Sequence, residues 1–253
     1  MSITLENKIN FIENVVSDLE TKDWEAVVKQ YGIKNADVFS SNSKYTVKDE
    51  NGKDECCVGT ISNGNAWECP ALLRGACNVP CYGLKGFYTM YDTPKINKHY
   101  QRLILQYAPV EWLFNVIKNR ATNKRCKKGN KLRFVRLNEV SDLNQRLLNK
   151  TVELCKMLLN DAETKHIIVF TYTKQGHLNF TEASKLSNLV INASQCINPV
   201  YKGGNVYIAV SEEFYNSIEE TDIVKKCNCD ISCVDSCGYC YKDCEYIIFC
   251  KIH

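Results

Sequence analysis

Seven cysteines crowd into the 24 residues from Cys227 to Cys250: Cys227, Cys229, Cys233, Cys237, Cys240, Cys244 and Cys250. A segment this short cannot bury an apolar core of its own, so the expectation is that bound metal supplies its folding energy. The pair Cys237-Gly238-Tyr239-Cys240 is C-x2-C, a spacing found in both zinc and iron–sulfur sites. The run through Cys244 is C-x2-C-x3-C, which approaches the ferredoxin pattern without its other C-x2 step and closing proline. Spacing alone leaves iron–sulfur, zinc and disulfide open.

The compartment narrows that choice. Met1 to Lys8 shows no basic segment followed by an apolar stretch, so no secretory signal is read there and a cytoplasmic protein is expected. In reducing surroundings clustered thiols act as metal ligands before they act as cross-links. Cysteine makes up 15 of 253 residues, far more than packing requires and less than in short disulfide scaffolds. No apolar run approaches the roughly 18 residues of a membrane span. A net charge of +3 and a sequence pI near 8.1 fall short of the basic excess, pI above about 9, that marks dedicated nucleic-acid binders.

A second cysteine group lies upstream. Cys69, Cys77 and Cys81 form a C-x7-C-x3-C loop with Pro70, Gly75 and Pro80 between them, residues suited to a tight wrapping turn. Three thiolates from one loop can hold three irons of a 4Fe-4S cluster and leave the fourth open to a ligand. A zinc loop completed from elsewhere, and plain packing of small apolar thiols, are the competing readings. Cys56-Cys57 is a vicinal pair that a thiol sensor could use, Cys155 sits on the apolar face of a helical pattern, and Cys126 and Cys196 carry no motif.

Apolar periodicity gives the frame. Leu5, Ile9, Ile12, Val15, Val16 and Leu19, then Trp24, Val27, Val28 and Tyr31, predict two amphipathic helices stopped by Gly32. Residues 33 to 66 read as polar connection or a small hairpin. Downstream, helical patterns at 99–119, 143–159 and 181–186 alternate with strand-like runs at 132–137, 166–172, 189–193 and 206–210. That alternation predicts βαβ crossovers and an α/β fold, either a partial (β/α) barrel or an open parallel sheet. The organisation expected is an N-terminal helical appendage over 1–45, an α/β domain with its cysteine loop over 46–225, and a Cys-rich metal-binding tail over 226–253.

In either layout chemistry gathers at the carboxyl ends of the strands. Three strand ends are polar in succession: Arg136, Asn138, Glu139 and Asp142 after the first, Thr173 and Lys174 after the second, and Ser194 after the third. Singly, each has an ordinary explanation, such as Asp142 capping the next helix. The basic stretch from Arg120 to Arg133 could touch phosphates but carries no interleaved aromatic, so a solvated turn is the plainer expectation.

These segments together resemble the phage "gene product 88" family, which occurs in phages and other mobile elements. The resemblance is carried by Cys69-Pro70 to Cys77 to Cys81-Tyr82, by Phe134 to Asp142, by Phe170 to Lys174, by Asn188 to Ser194, and by the Cys-rich end finishing in His253. The loop and the βα pattern are also similar to the radical S-adenosylmethionine superfamily, although that superfamily's usual C-x3-C-x2-C loop is here C-x7-C-x3-C; within the gene product 88 resemblance, Ser141 stands before Asp142 where glycine is usual. The resemblance implies that Cys69, Cys77 and Cys81, with Tyr82 beside them, hold a 4Fe-4S cluster and S-adenosylmethionine. It further implies that Arg136, Asn138, Glu139, Asp142, Thr173, Lys174 and Ser194 line the substrate side; the seven tail cysteines add the expectation of a second cluster, and an iron–sulfur enzyme of this kind needs an electron donor. The rival expectation is a zinc-stabilised, non-catalytic module that contacts nucleic acid or a host protein.

Overall fold

Thr4 and Asp23 turn their side-chain oxygens onto the backbone N–H groups of Asn7 and Ala26, and each starts a helix: α1 (Leu5–Thr21) and α2 (Trp24–Tyr31). Gly32, at φ 64°, ends α2 in the left-handed conformation, as its sequence position predicts. The computed structural model describes residues 3–34, 38–40, 46–48, 54–56, 58–75, 81–84, 87–122, 132–194, 205–227, 239–241 and 245–251. Strands β1 (Thr46–Lys48) and β2 (Asp54–Cys56) pair antiparallel as a small hairpin.

The polar stretch 33–66 also contains β3 (Val58–Ile61), a fully buried strand that the sequence reading missed. Its Gly59 faces Phe39 so closely that a Cβ would lie 2.8 Å from the ring, which is why an apolar pattern is thin there. Short helices α3 (Pro70–Leu73) and α4 (Phe87–Met90) lead to α5 (Asp92–Tyr107) and α6 (Val110–Thr122). The single helix expected over 99–119 is therefore two, because Pro109 holds Ala108 in an extended conformation and breaks the ladder.

The remainder runs β4 (Phe134–Leu137), α7 (Gln145–Asn160), β5 (Ile168–Thr173), β6 (Leu189–Ser194), β7 (Val206–Val210), α8 (Glu212–Ser217), β8 (Val224–Cys227) and β9 (Ile247–Lys251). The helix expected at 181–186 is only a single 3₁₀ turn, Ala183–Lys185. Strands β3 to β9 form one sheet in the order β3-β4-β5-β6-β7-β9-β8, every neighbouring pair parallel. This is an α/β fold. From β3 to β7 the order never reverses, unlike a doubly wound sheet, so right-handed crossovers carry their helices to one face.

Side-chain alternation separates the two faces. Ile61, Val135, Leu137, Val169, Leu189 and Ile191 pack with α1, α2, α5, α6 and α7 into one large core. Phe11, Trp24 and Tyr31 belong to that same core, where Phe11 meets Tyr100 of α5 edge-on at 5.4 Å. The other face carries Val58, Phe170, Val190, Tyr207, Cys227 and Ile248, joined by Cys240. Both outer strands are blunted: Ser40 exchanges backbone hydrogen bonds with Thr60 of β3, and at β8 the Glu220 carboxylate accepts from the Lys226 N–H.

Lys150 of α7 ties this core together. Its ammonium donates to the carbonyls of Leu105, at 2.5 Å, and Ala108, capping the end of α5. Burial, reinforced by Arg146, pushes its pKa down to about 8. The unfolded chain, with an ordinary lysine, binds more protons between pH 8 and about 10.5, so stability should rise with pH across that window. Urea midpoints at several pH values are expected to show this rise in the native chain and its loss in Lys150→Met; equal slopes would refute it.

Candidate functional site

The carboxyl ends of β3, β4 and β5 are knotted together by Asp142. One of its carboxylate oxygens accepts from the Leu143 N–H at 2.6 Å and the other from the Lys174 N–H at 2.9 Å, with Thr173 as a further side-chain partner. Its own carbonyl accepts from Nδ2 of Asn63, just beyond β3, at 2.7 Å. Burial pushes the Asp142 carboxyl up, and these hydrogen bonds oppose it. The loop that carries it bends twice through the left-handed region, at Asn138 (φ 58°) and Ser141 (φ 75°). Asn138 thereby donates from Nδ2 to the Thr171 hydroxyl on the next strand at 3.1 Å.

Helix α5 supplies the wall behind these ends. Lys98 donates to Glu139 at 2.5 Å, both side chains about 8% exposed, so this is an enclosed ion pair. The next residue, His99, and Arg102 one turn on both meet Glu68, with His99 Nδ1 at 2.6 Å from the carboxylate. Burial pushes the Glu68 carboxyl up, but His99, the Asn65 N–H and the Arg102 charge outweigh it and hold the pKa at about 2. Gly64 makes room for this network: at φ 95°, a Cβ there would lie 2.8 Å from both Arg102 Cδ and Glu68 Oε2. Gly64→Ala is expected to cost more than about 1 kcal/mol in a denaturant titration, and an unchanged midpoint would contradict the packing described.

Two loop cysteines arrive at the same place. Cys69 is buried at the start of α3, directly after the β3 loop. Burial pushes its thiol up, the Leu72 and Ala71 N–H groups and the Ser141 hydroxyl pull it back, and the Asp142 charge adds to the rise. Cys81 lies beside Gly83, which packs against Val140 of the β4 loop and Ala66 of the β3 loop, with the Cys81 sulfur 3.6 Å from where a Cβ would stand. Cys77 lies outside the described residues, as does the Tyr82 side chain.

The sheet face away from the large helical core, the inner face, brings together three tail thiols. Cys227 and Cys250 are register partners on β8 and β9, and Cys240 lies 3.5 Å from the Tyr207 hydroxyl. Asn192 and Asn205 hold the 239–241 turn by donating to the carbonyls of Cys240 and Tyr239. Burial, with Tyr172, Cys240 and Cys227 nearby, pushes the Tyr207 phenol well above its ordinary value. Arg136 lies 5.4 Å from the centre of the Tyr172 ring, and Tyr172 stacks edge-on to Tyr207 at 4.9 Å.

The structure thus brings Asn138, Glu139, Asp142, Thr173, Lys174, Cys69 and Cys81 to adjoining strand ends. Arg136 belongs to the inner face, and Ser194 ends β6, partly exposed. Cys229, Cys233, Cys237 and Cys244 fall outside the described residues, as do Cys57, Cys126, Cys196 and positions 123–131 of the basic stretch. Among the described residues, no group of three or more His, Cys, Asp or Glu is arranged to hold a metal ion, and no helix is long and apolar enough to cross a membrane. Cys155 is fully buried in the core, as its helical position predicts. Sequence reasoning missed Asn63, Glu68 and Lys98; the Ser62-Asn63-Gly64-Asn65 turn after β3 was the available signal, hidden because that strand was not recognised.

A family model described as gene product 88 matches residues 34–213, well over half of the chain, and the chain belongs to that family. No curated protein and no solved structure matches it.

Proposed function

We propose that this member of the gene product 88 family is an iron–sulfur enzyme of the radical S-adenosylmethionine-like class, its sheet rolled into a partial (β/α) barrel and its substrate side at the strand ends. The observation that carries the reading is the convergence of Cys69 and Cys81 on the loop holding Val140, Ser141 and Asp142, which joins a thiol loop to buried polar strand ends. The donor set fits the group: sulfur ligands suit iron–sulfur clusters, and two of the three loop thiols lie at one site. Cys69, Cys77 and Cys81 would hold the cluster, which when bound supplies one-electron chemistry to S-adenosylmethionine.

The chain's own residues do the rest. Burial keeps the free Cys69 thiol protonated, and the Leu72 and Ala71 N–H groups oppose it in part. Asp142 fixes the spacing of three strand ends, and the Lys98–Glu139 pair keeps the β4 loop seated on α5. The substrate enters among Asn138, Thr173 and Lys174, with Arg136 approaching from the inner face.

A second reading has its own support. Cys227, Cys240 and Cys250 share one sheet face with tyrosines; among the described residues they form no metal group, and a structural zinc site there would need further tail cysteines to complete it. Iron, zinc and sulfide content, with a visible spectrum, on protein purified without oxygen decides between them. Iron with sulfide and a brown colour is expected, and Cys77→Ala should lose the loop iron. Zinc without sulfide would overturn the enzyme reading in favour of a zinc-stabilised binding module; unchanged iron in Cys77→Ala would remove the loop assignment.

A further inference from the structure

Three buried amide atoms at these strand ends lack a hydrogen-bond partner among the described residues: Asn63 Oδ1 after β3, Asn138 Oδ1 after β4 and Gln175 Nε2 after β5. Their residues are only 2%, 3% and 2% exposed. Buried polar groups are almost always paired, and leaving one unpaired costs about 1–3 kcal/mol, so three on adjoining strand ends call for a common explanation. The two oxygens are fixed as acceptors by what their amide nitrogens do. Asn63 Nδ2 donates to a carbonyl, which can only accept. Asn138 Nδ2 donates to the Thr171 hydroxyl, whose own hydrogen points to the Tyr172 carbonyl. Gln175 Nε2 is a donor. The three strand ends therefore offer acceptor, acceptor and donor, in strand order.

Lys98 is paired with Glu139, and Asp142 is held by backbone N–H groups, so neither leaves an unmatched charge for a ligand to meet. The flanking loops are clasped across the top, where Arg74 after α3 meets His177 after β5. We propose that Asn63, Asn138 and Gln175 form a recognition edge for an uncharged ligand presenting two N–H donors and one acceptor, the pattern of a guanine-type base. The ligand enters when the Arg74–His177 clasp opens. This rests on the strand ends being the substrate side, and not on any metal.

Guanosine is the probe, measured by equilibrium dialysis or calorimetry against the full chain, with inosine, which lacks one donor, and adenosine as comparators. Saturable guanosine binding is expected, with inosine and adenosine at least about tenfold weaker, the effect of one unmade buried hydrogen bond. Gln175→Met should weaken guanosine by a similar factor. Absence of guanosine binding, equal binding of the three nucleosides, or unchanged affinity in a folded Gln175→Met would overturn the proposal. Iron and zinc are assayed on the same samples, so a failure of the metal reading leaves the binding result standing by itself.

Discussion

Replacing Lys98 with methionine is expected to lower stability by about 3–5 kcal/mol, because the Glu139 carboxylate would stay buried without the ammonium that faces it. For a chain of this size that corresponds to a melting-temperature drop on the order of 10 °C. Adding Glu139→Gln should restore most of the loss, since the remaining groups are neutral and of similar shape. Thermal unfolding of the single and double variants measures this directly. A single variant melting within about 2 °C of the native chain would show that the pair is not enclosed as described.

Asp142→Asn carries the second large effect. The amide keeps one oxygen but turns an N–H₂ toward either the Leu143 or the Lys174 N–H, leaving a buried donor facing a donor. A loss of about 1–3 kcal/mol is expected by denaturant titration. The pH dependence gives a separate readout. Burial raises the native carboxyl above its ordinary value, so as pH climbs through the carboxylate range the unfolded chain gives up its proton first and stability falls. Asp142→Asn should lack that fall. It should also make Cys69 more acidic, since the Asp142 charge helps push that thiol up. Identical pH profiles in the two proteins would contradict both statements.

The α/β alternation was legible because strands buried on both faces need largely apolar runs, which β5, β6 and β7 open with and β4 shows around Arg136. β3 was not legible: Gly59 and Thr60 take half of its four positions, one for lack of space beside Phe39 and one to bond Ser40. With β3 hidden, the turn holding Asn63 and Gly64 looked like linker. β8 and β9 were missed for a different reason. Their cysteines read as metal ligands, whereas Cys227, Cys250 and Ile248 point to the inner face and Lys225 and Lys226 lie along the rings of Tyr246 and Tyr215. Asp142 was legible only as a candidate N-cap, the role that Asn144 takes instead, and its partners come from the ends of β3 and β5 as well as from its own loop, which no spacing rule connects.

The strand order also has a temporal side. Strands β3 to β7 each find their neighbour in the strand made just before, so the sheet can grow as the chain leaves the ribosome. β8 cannot join that growth, because its sheet partner β9 is made after it and inserts between β7 and β8. Residues 247–251 therefore act as a keystone: a chain interrupted before them leaves β7 and β8 each with a bare edge, open to quality-control proteases and to pairing with other chains.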